Sequence, residues 1–179
     1  MTSPARIREA REEDAAAIAR VHIDTWRAAY RGIVADEFLD RLSYERSATH
    51  FREVFMSPQS RDWVFVAEDD HGEVIGFACG GPVREADPAY KGELYAIYLL
   101  PQHHRRGIGR ALTAAVVGKL LDSGITTMLI WALAANPSRM FYESLGGRRL
   151  REREITIGGA AYIEVAYGWD DITPLAPAR

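Results

Sequence analysis

The stretch "ELYAIYLLPQHHRRGIGRALTAAVVGKLL", residues 93–121, most limits the folds open to this chain. After Glu93 its next seven residues are aromatic and aliphatic, a strand pattern, and Pro101 ends the run because it has no N–H to donate to a ladder. From Gly107 to Asp122 the residues Ile108, Ala111, Leu112, Ala115, Val116 and Leu120 line one helical face, and Gly124 suits the C-terminal cap. A strand that feeds a helix through a glycine-bearing turn needs a sheet to join and a sheet face for the helix to cover.

The loop itself admits three chemical readings. Adjacent His103 and His104 on an extended segment point apart, and no carboxylate or thiol stands at a usual ligand spacing, so no metal is expected. Arg105, Arg106 and Arg110 form a short basic patch without interleaved aromatics, in a chain of net charge −3, which argues against nucleic acid. A phosphate reading has a mechanism. The first amides of a helix lack intrahelical partners, the helix dipole favours an anion, glycine opens unusual backbone angles, and the three arginines add charge-assisted contacts. Neither nucleotide fingerprint fits. The Walker lysine is absent, and Leu112 stands where a dinucleotide loop needs its third glycine.

The remaining pattern reads in order. "RIREA" is a short strand, "REEDAAAIARVHIDTWRAAYRGI" a helix stopped near Gly32, and "ADEFLDRLSYERSATHFREVF" one or two short helices. After the loop "MSPQSRD", the segments "WVFVAED" and "VIGFACGG" form a hairpin. "TTMLIWAL" reads as a strand buried on both faces, "PSRMFYESLGG" as a short helix, and "RRLREREITI" with "AAYIEVAYGW" as a closing hairpin across Gly158 and Gly159. The basic "GGRRLRERE" alternates with acids and reads as an exposed strand face. This is an α/β chain with a single mixed sheet, no internal repeat and no linker. One domain is expected over residues 1–172, with a polar tail over 173–179. Cys79 is the only cysteine, which fits a reducing compartment, and no apolar leader or membrane-length run is present, so a cytoplasmic protein with no membrane partner is expected.

"ELYAIYLLPQHHRRGIGRAL" resembles motif A of the GCN5-related N-acetyltransferases, and "NPSRMFYESLGG" resembles their motif B, at a fitting separation. The early "DTWRAAYRGI" is similar to a bacterial small-molecule or polyamine-type subset. The resemblance implies a mostly antiparallel sheet of about seven strands, helices on both faces, and a splay between the fourth and fifth strands. It implies acetyl-CoA as cosubstrate. The pantetheine arm would pair with Ile97, Tyr98 and Leu99 and with Asn136, and the pyrophosphate would rest on Arg105, Arg106, Gly107, Ile108, Gly109 and Arg110. The family has Gln or Arg where this chain has His104, a change that leaves a backbone cradle intact.

Acetyl transfer to an amine needs a base, because the free ammonium has a pKa near ~10, and a proton for the leaving thiolate, whose pKa is roughly 8.5. By resemblance Tyr142 is the general acid and Glu93 the base, often through water. The plainer readings are helix packing for Tyr142 and an exposed carboxylate at a strand start for Glu93. Trp131 stands where acetylases of ribosomal-protein N-termini tend to carry a glutamate, which disfavours that substrate. His22, Trp26 and Tyr30 form one stripe on the first helix. Trp26 and Tyr30 are expected either in the core or against the acceptor. Cys79 reads as a small strand residue, so direct attack in a ternary complex is preferred to an acetyl-cysteine.

The expected activity is transfer of acetyl from acetyl-CoA to a primary amine of a small molecule. Asp24, Asp36, Glu37 and Asp40 would suit a polyamine. Acetylation of a protein lysine or N-terminus is the alternative within enzymes, and a non-catalytic CoA-binding sensor the alternative outside them. The resemblance also raises a homodimer, with the closing hairpin able to pair across an interface.

Overall fold

The computed structural model describes residues 5–57 and 59–177; residues 1–4, Pro58 and residues 178–179, which belong to the expected leader-free start, the 56–62 loop and the tail, lie outside them. Strand β1 (Arg6–Glu9) leads into helices α1 (Ala15–Tyr30), α2 (Asp36–Asp40) and α3 (Tyr44–Met56). Strands β2 (Trp63–Glu68), β3 (Val74–Pro82) and β4 (Gly92–Leu99) follow, then α4 (Ile108–Asp122), β5 (Met128–Leu133), α5 (Arg139–Ser144), β6 (Arg148–Ile157) and β7 (Ala160–Trp169). The expected "one or two" early helices are two, because Ser43 Oγ accepts the Arg46 N–H at 3.3 Å and starts α3 afresh. Strand β5 begins at Met128 rather than Thr126, since the carbonyls of Thr126 and Thr127 serve Ile172 and Gly92 instead.

The seven strands form one sheet in the order β1-β2-β3-β4-β5-β7-β6. Every neighbouring pair is antiparallel except β4 and β5. Helices cover both faces. On β3, Phe77 meets His22 of α1, whereas a Cβ built on Gly80 would sit 2.6 Å from Val116 of α4. Helix α4 buries Ile108, Leu112, Val116, Val117 and Leu120 against Leu94, Met128 and Ile130 of the sheet. Each such side chain stabilises the fold by roughly 1.5–3 kcal/mol.

The segment expected as a polar tail starts differently. Asp171 accepts the Thr173 N–H at 2.9 Å and its hydroxyl at 2.7 Å, which turns the chain into a 3-10 turn over Thr173–Leu175. Ile172 and Leu175 are buried in the main core, and a Cβ on Gly118 of α4 would meet Pro177 at 3.6 Å.

Two features open the middle of the sheet. Cys79 pairs with Ala96 and Gly80 with Leu94, so Tyr95 is an extra residue and β4 carries a bulge that bends it. Strands β4 and β5 then pair only at Gly92–Met128 and Glu93–Leu129, while β5 stays zipped to β7 as far as Leu133. Beyond the vertex the strands part, which is the expected splay.

On the α1 face, His22 lies among Trp26, Phe51, Phe77 and Tyr98, with ring centroids at 5.1–6.2 Å, and its Nδ1 is 3.4 Å from Ser47 Oγ. Burial, with a smaller push from His50, lowers its pKa from 6.5 to about 4. The fold therefore refuses a proton that the unfolded chain accepts. His22 adds stability above pH 6.5 that is lost as the pH falls through about 4. The loss should reach roughly 3 kcal/mol at most. Urea unfolding at pH 7 and pH 4.5 should show a smaller acid loss for His22→Phe than for the wild type; equal losses would remove His22 as the cause.

Candidate active site

The loop after β4 is held from both ends. Leu100 donates its N–H to Ile75 of β3 at 3.0 Å, and a 3-10 turn over Pro101–His103 follows. His104 Nε2 lies 2.9 Å from the Leu99 carbonyl, so this side chain ties the loop back to the strand end. Arg105 has φ 62° and is the only non-glycine residue with positive φ among those described, and Gly107 has φ 78°. Alternating backbone hands of this kind turn successive amides inward, a concavity suited to an anion. Gly107 caps α4 without any side-chain hydrogen bond, leaving the amides of Ile108, Gly109 and Arg110 without intrahelical partners. Arg105, Arg106 and Arg110 are exposed, while Ile108 anchors the turn in the core.

The two glycines do different work. A Cβ on Gly107 would meet nothing within 4 Å, so that position needs glycine for its backbone angle. A Cβ on Gly109 would lie 3.2 Å from Phe141 Cζ, so that glycine admits the Phe141 ring. The cradle fits a pyrophosphate through its backbone, and the Phe141 contact fixes α5 against α4.

Beside the cradle lies the parted edge of β4, where Ile97, Tyr98 and Leu99 are half-buried. Because Leu100 points its N–H at β3, alternation turns the N–H and C=O of Leu99 and Ile97 toward the gap. The Tyr98 hydroxyl accepts from Trp26 Nε1 at 2.9 Å. Trp26 and Tyr30 stack at 4.6 Å, and the Tyr30 hydroxyl accepts from Asn136 Nδ2 at 3.1 Å. The Asn136 Oδ1 accepts the Ser138 N–H at 2.9 Å, at the start of α5. Asn136, expected on the cofactor, is thus buried and engaged with Tyr30 and its own turn. Trp26 and Tyr30 pack with Phe38, Leu39 and Leu133 in a second apolar cluster, which satisfies their core reading.

Tyr142 is buried between Phe141 and Tyr167, with centroids at 5.6 and 5.9 Å. Burial, reinforced by nearby Tyr30, pushes this phenol well above its ordinary pKa, so it carries its proton at neutral pH. Burial raises Tyr98 and Tyr30 as well.

Glu93 is not the exposed carboxylate of the plainer reading; it is 3% exposed. One oxygen accepts the Arg84 N–H at 3.0 Å, and the other accepts Arg84 Nε at 3.1 Å and pairs with Nη2. Arg84 in turn lies over Tyr95, 4.6 Å from the ring centroid. Next to Glu93 is a cavity of about 230 Å³ walled by Arg84, Leu129, Trp131, Arg151 and Arg153. Arg151 and Arg153, expected on a solvated strand face, close over Trp131 at 5.4 and 4.0 Å. Their two-residue spacing was the available signal, since it puts both on one side of β6. Arg84 gave no such signal, because only the β3–β4 register brings it to Glu93.

Several other expectations are placed elsewhere. Asp24 accepts the Tyr44 hydroxyl at 2.6 Å, and exposed Asp36 and Asp40 share Arg31 at 3.3 and 3.1 Å, so this acidic set does not line the cavity. Cys79 is half-buried on β3, and burial pushes its thiol up to about 12. Among the described residues no group of three or more His, Cys, Asp or Glu could hold a metal ion, and no helix is long and apolar enough to cross a membrane.

Comparison with known proteins matches this geometry. Residues 12–147 fit the model of the Acetyltransferase (GNAT) family. The uncharacterized N-acetyltransferase YuaI of Bacillus subtilis is 41% identical over 169 residues, covering 94% of this chain and 95% of that protein. Mycothiol acetyltransferase of Kocuria rhizophila is 38% identical over 87 residues, which are 47% of this chain and 28% of that one. Among solved structures, the PaiA N-acetyltransferase of Thermoplasma acidophilum in complex with coenzyme A superposes with a TM-score of 0.69 at 20% identity, covering 91% of this chain and 98% of that one. The putative acetyltransferase YncA of Salmonella typhimurium with acetyl-CoA gives 0.66 at 23% identity, covering 93% and 94%. With its parted strands, its backbone cradle and its whole-length relative, this chain belongs to the GNAT family of acetyltransferases and is an acetyl-CoA-dependent N-acetyltransferase.

Proposed function

We propose that the protein transfers acetyl from acetyl-CoA to a primary amine of a small molecule, by direct attack within a ternary complex. The observation that carries this reading is the gap between β4 and β5, with the α4 cradle at its open end and Glu93 at its vertex. Met128 and Ile130 of β5 pack with α4 in the core, so Leu129 and Trp131 look out on the opposite face, into the Glu93 cavity. Donor and acceptor can then meet through the sheet. The cavity lies below the roughly 300–1,000 Å³ of pockets for drug-sized ligands, which favours a compact amine over a peptide.

The amides of Ile108, Gly109 and Arg110, with Arg105 and Arg106, would hold the pyrophosphate, and the edge of Ile97 to Leu99 the pantetheine arm. Bound there, acetyl-CoA supplies an activated acetyl thioester. Glu93, kept close to Arg84, receives the ammonium proton through water, since both its oxygens already have partners. The amine nitrogen forms the new C–N bond while the C–S bond breaks. Tyr142 keeps its proton at neutral pH, offers it to the leaving sulfur, and is restored by the second proton that the nitrogen sheds as the amide forms. A thiol as high as about 12 makes Cys79 a poor nucleophile, which supports direct transfer over an acetyl-cysteine.

Tyr142→Phe should lower kcat by about 100-fold in a thiol-release assay, within the span of general acid catalysis. Calorimetric CoA affinity should stay near the wild-type value. Unchanged thiol release with the best amine would remove Tyr142 as the proton donor. Gly107→Ala places a side chain on a backbone at φ 78° and should raise the CoA Kd by roughly tenfold, reflecting strain of order 1–2 kcal/mol. An unaltered Kd would move the pyrophosphate away from this turn. Wild-type protein that binds CoA but acetylates no amine in a broad panel would favour the sensor reading.

A further inference from the structure

The charged lining of the cavity beside Glu93 goes beyond what an amine alone requires. Three guanidiniums, from Arg84, Arg151 and Arg153, line it beside two carboxylates, Glu85 and Glu93. They come from separate parts of the chain, the β3–β4 loop and strand β6.

Each arginine is anchored from behind by a carboxylate. Arg84 spends Nε and Nη2 on buried Glu93. Arg151 spends Nη2 on buried Asp87 at 2.5 Å. Arg153 spends Nε on buried Glu164 at 2.5 Å and Nη1 on Glu85 at 2.7 Å. A guanidinium has five N–H donors in a rigid planar fork. Nη1 of Arg84, Nε and Nη1 of Arg151, and Nη2 of Arg153 therefore remain as donors with no hydrogen-bond acceptor among the described residues. Arg153 and Arg151 are further held over Trp131, which fixes their planes at the cavity wall. Anchored forks with spare donors around one small cavity are the arrangement that recognises an oxyanion.

We infer that the acceptor is a primary amine that also carries an anionic oxygen group, held by the spare donors of Arg84, Arg151 and Arg153. The inference rests on the acetyltransferase reading of this site and names its substrate class. It also replaces the polyamine expectation, since the spare guanidinium donors have no acceptor to offer a second ammonium. Carboxylate and phosphonate share this chemistry, and the amine would sit toward Glu93.

The test compares matched amines in the thiol-release assay: each α-amino acid against its decarboxylated amine, and 2-aminoethylphosphonate against ethylamine. Members with the anionic group should show kcat/KM at least tenfold higher, and the two anionic classes, scored separately, identify which oxyanion is preferred. In Arg151→Gln the preference should collapse mainly through KM. Arg153→Gln should do the same, and if it fails to fold, Arg151→Lys keeps the charge but loses the fork and should recover only part of the preference. Neutral amines used as well as anionic ones, or a preference that survives Arg151→Gln, would overturn the subsite while leaving the transferase reading intact. If no amine turns over although CoA binds, the transferase reading fails, and calorimetry on the CoA complex decides the subsite. N-acetyl amino acids should then bind, with affinity at least tenfold weaker in Arg151→Gln. Absent or unaltered binding would overturn it.

Discussion

Everything chemical in this molecule depends on where β4 and β5 stop pairing. Two residues on each strand are joined, and the bulge at Tyr95 then bends β4 while β5 follows β7. A fully zipped parallel pair would satisfy more backbone groups and close the sheet. The open edge is tolerated because helix α4 clamps both strands through Leu94, Met128 and Ile130, so the core rather than the ladder holds the two halves together. Burial on that side leaves strand amides directed into the gap, a scaffold for extended ligands that needs few specialised side chains.

Around the opening the protein settles its polar groups in two manners. On the α1 side, neutral groups are paired, Trp26 with Tyr98 and Asn136 with Tyr30, and burial holds the two phenols protonated. On the cavity side, buried carboxylates are matched to arginines whose charges reach solvent. An isolated buried carboxylate is costly, so Glu93, Asp87 and Glu164 each require an arginine close by. Arg151 with Asp87 and Arg153 with Glu85 fasten the β3–β4 loop to β6, giving the cavity a wall that neither element would make alone.

Much of this was legible in the sequence because it rests on local chemistry. Pro101, the helical spacing after Gly107 and the two-residue alternation of the strands placed most elements within a few residues, and the motif around Gly107 pointed to the cradle and to the family. What sequence reading missed depends on contacts between distant segments. The pairing of Arg84 with Glu93 follows from the β3–β4 register, and the approach of Arg151 and Arg153 to Trp131 follows from the sheet order, which sets β6 one strand beyond β5 across β7. Nothing local shows that Asn136 donates to Tyr30, 106 residues earlier. The charge pattern of "GGRRLRERE" is the same whether its face meets water or a cavity.

The contact between Gly109 and Phe141 makes two motifs a single mechanical part. The first belongs to the cradle at the start of α4, the second adjoins Tyr142 on α5, and only about a methyl group's width separates a tolerated residue from a clash. A side chain at position 109 presses on the ring at position 141, which must give way by a few tenths of an ångström. Change at the start of α4 is therefore felt at the helix that carries the candidate proton donor.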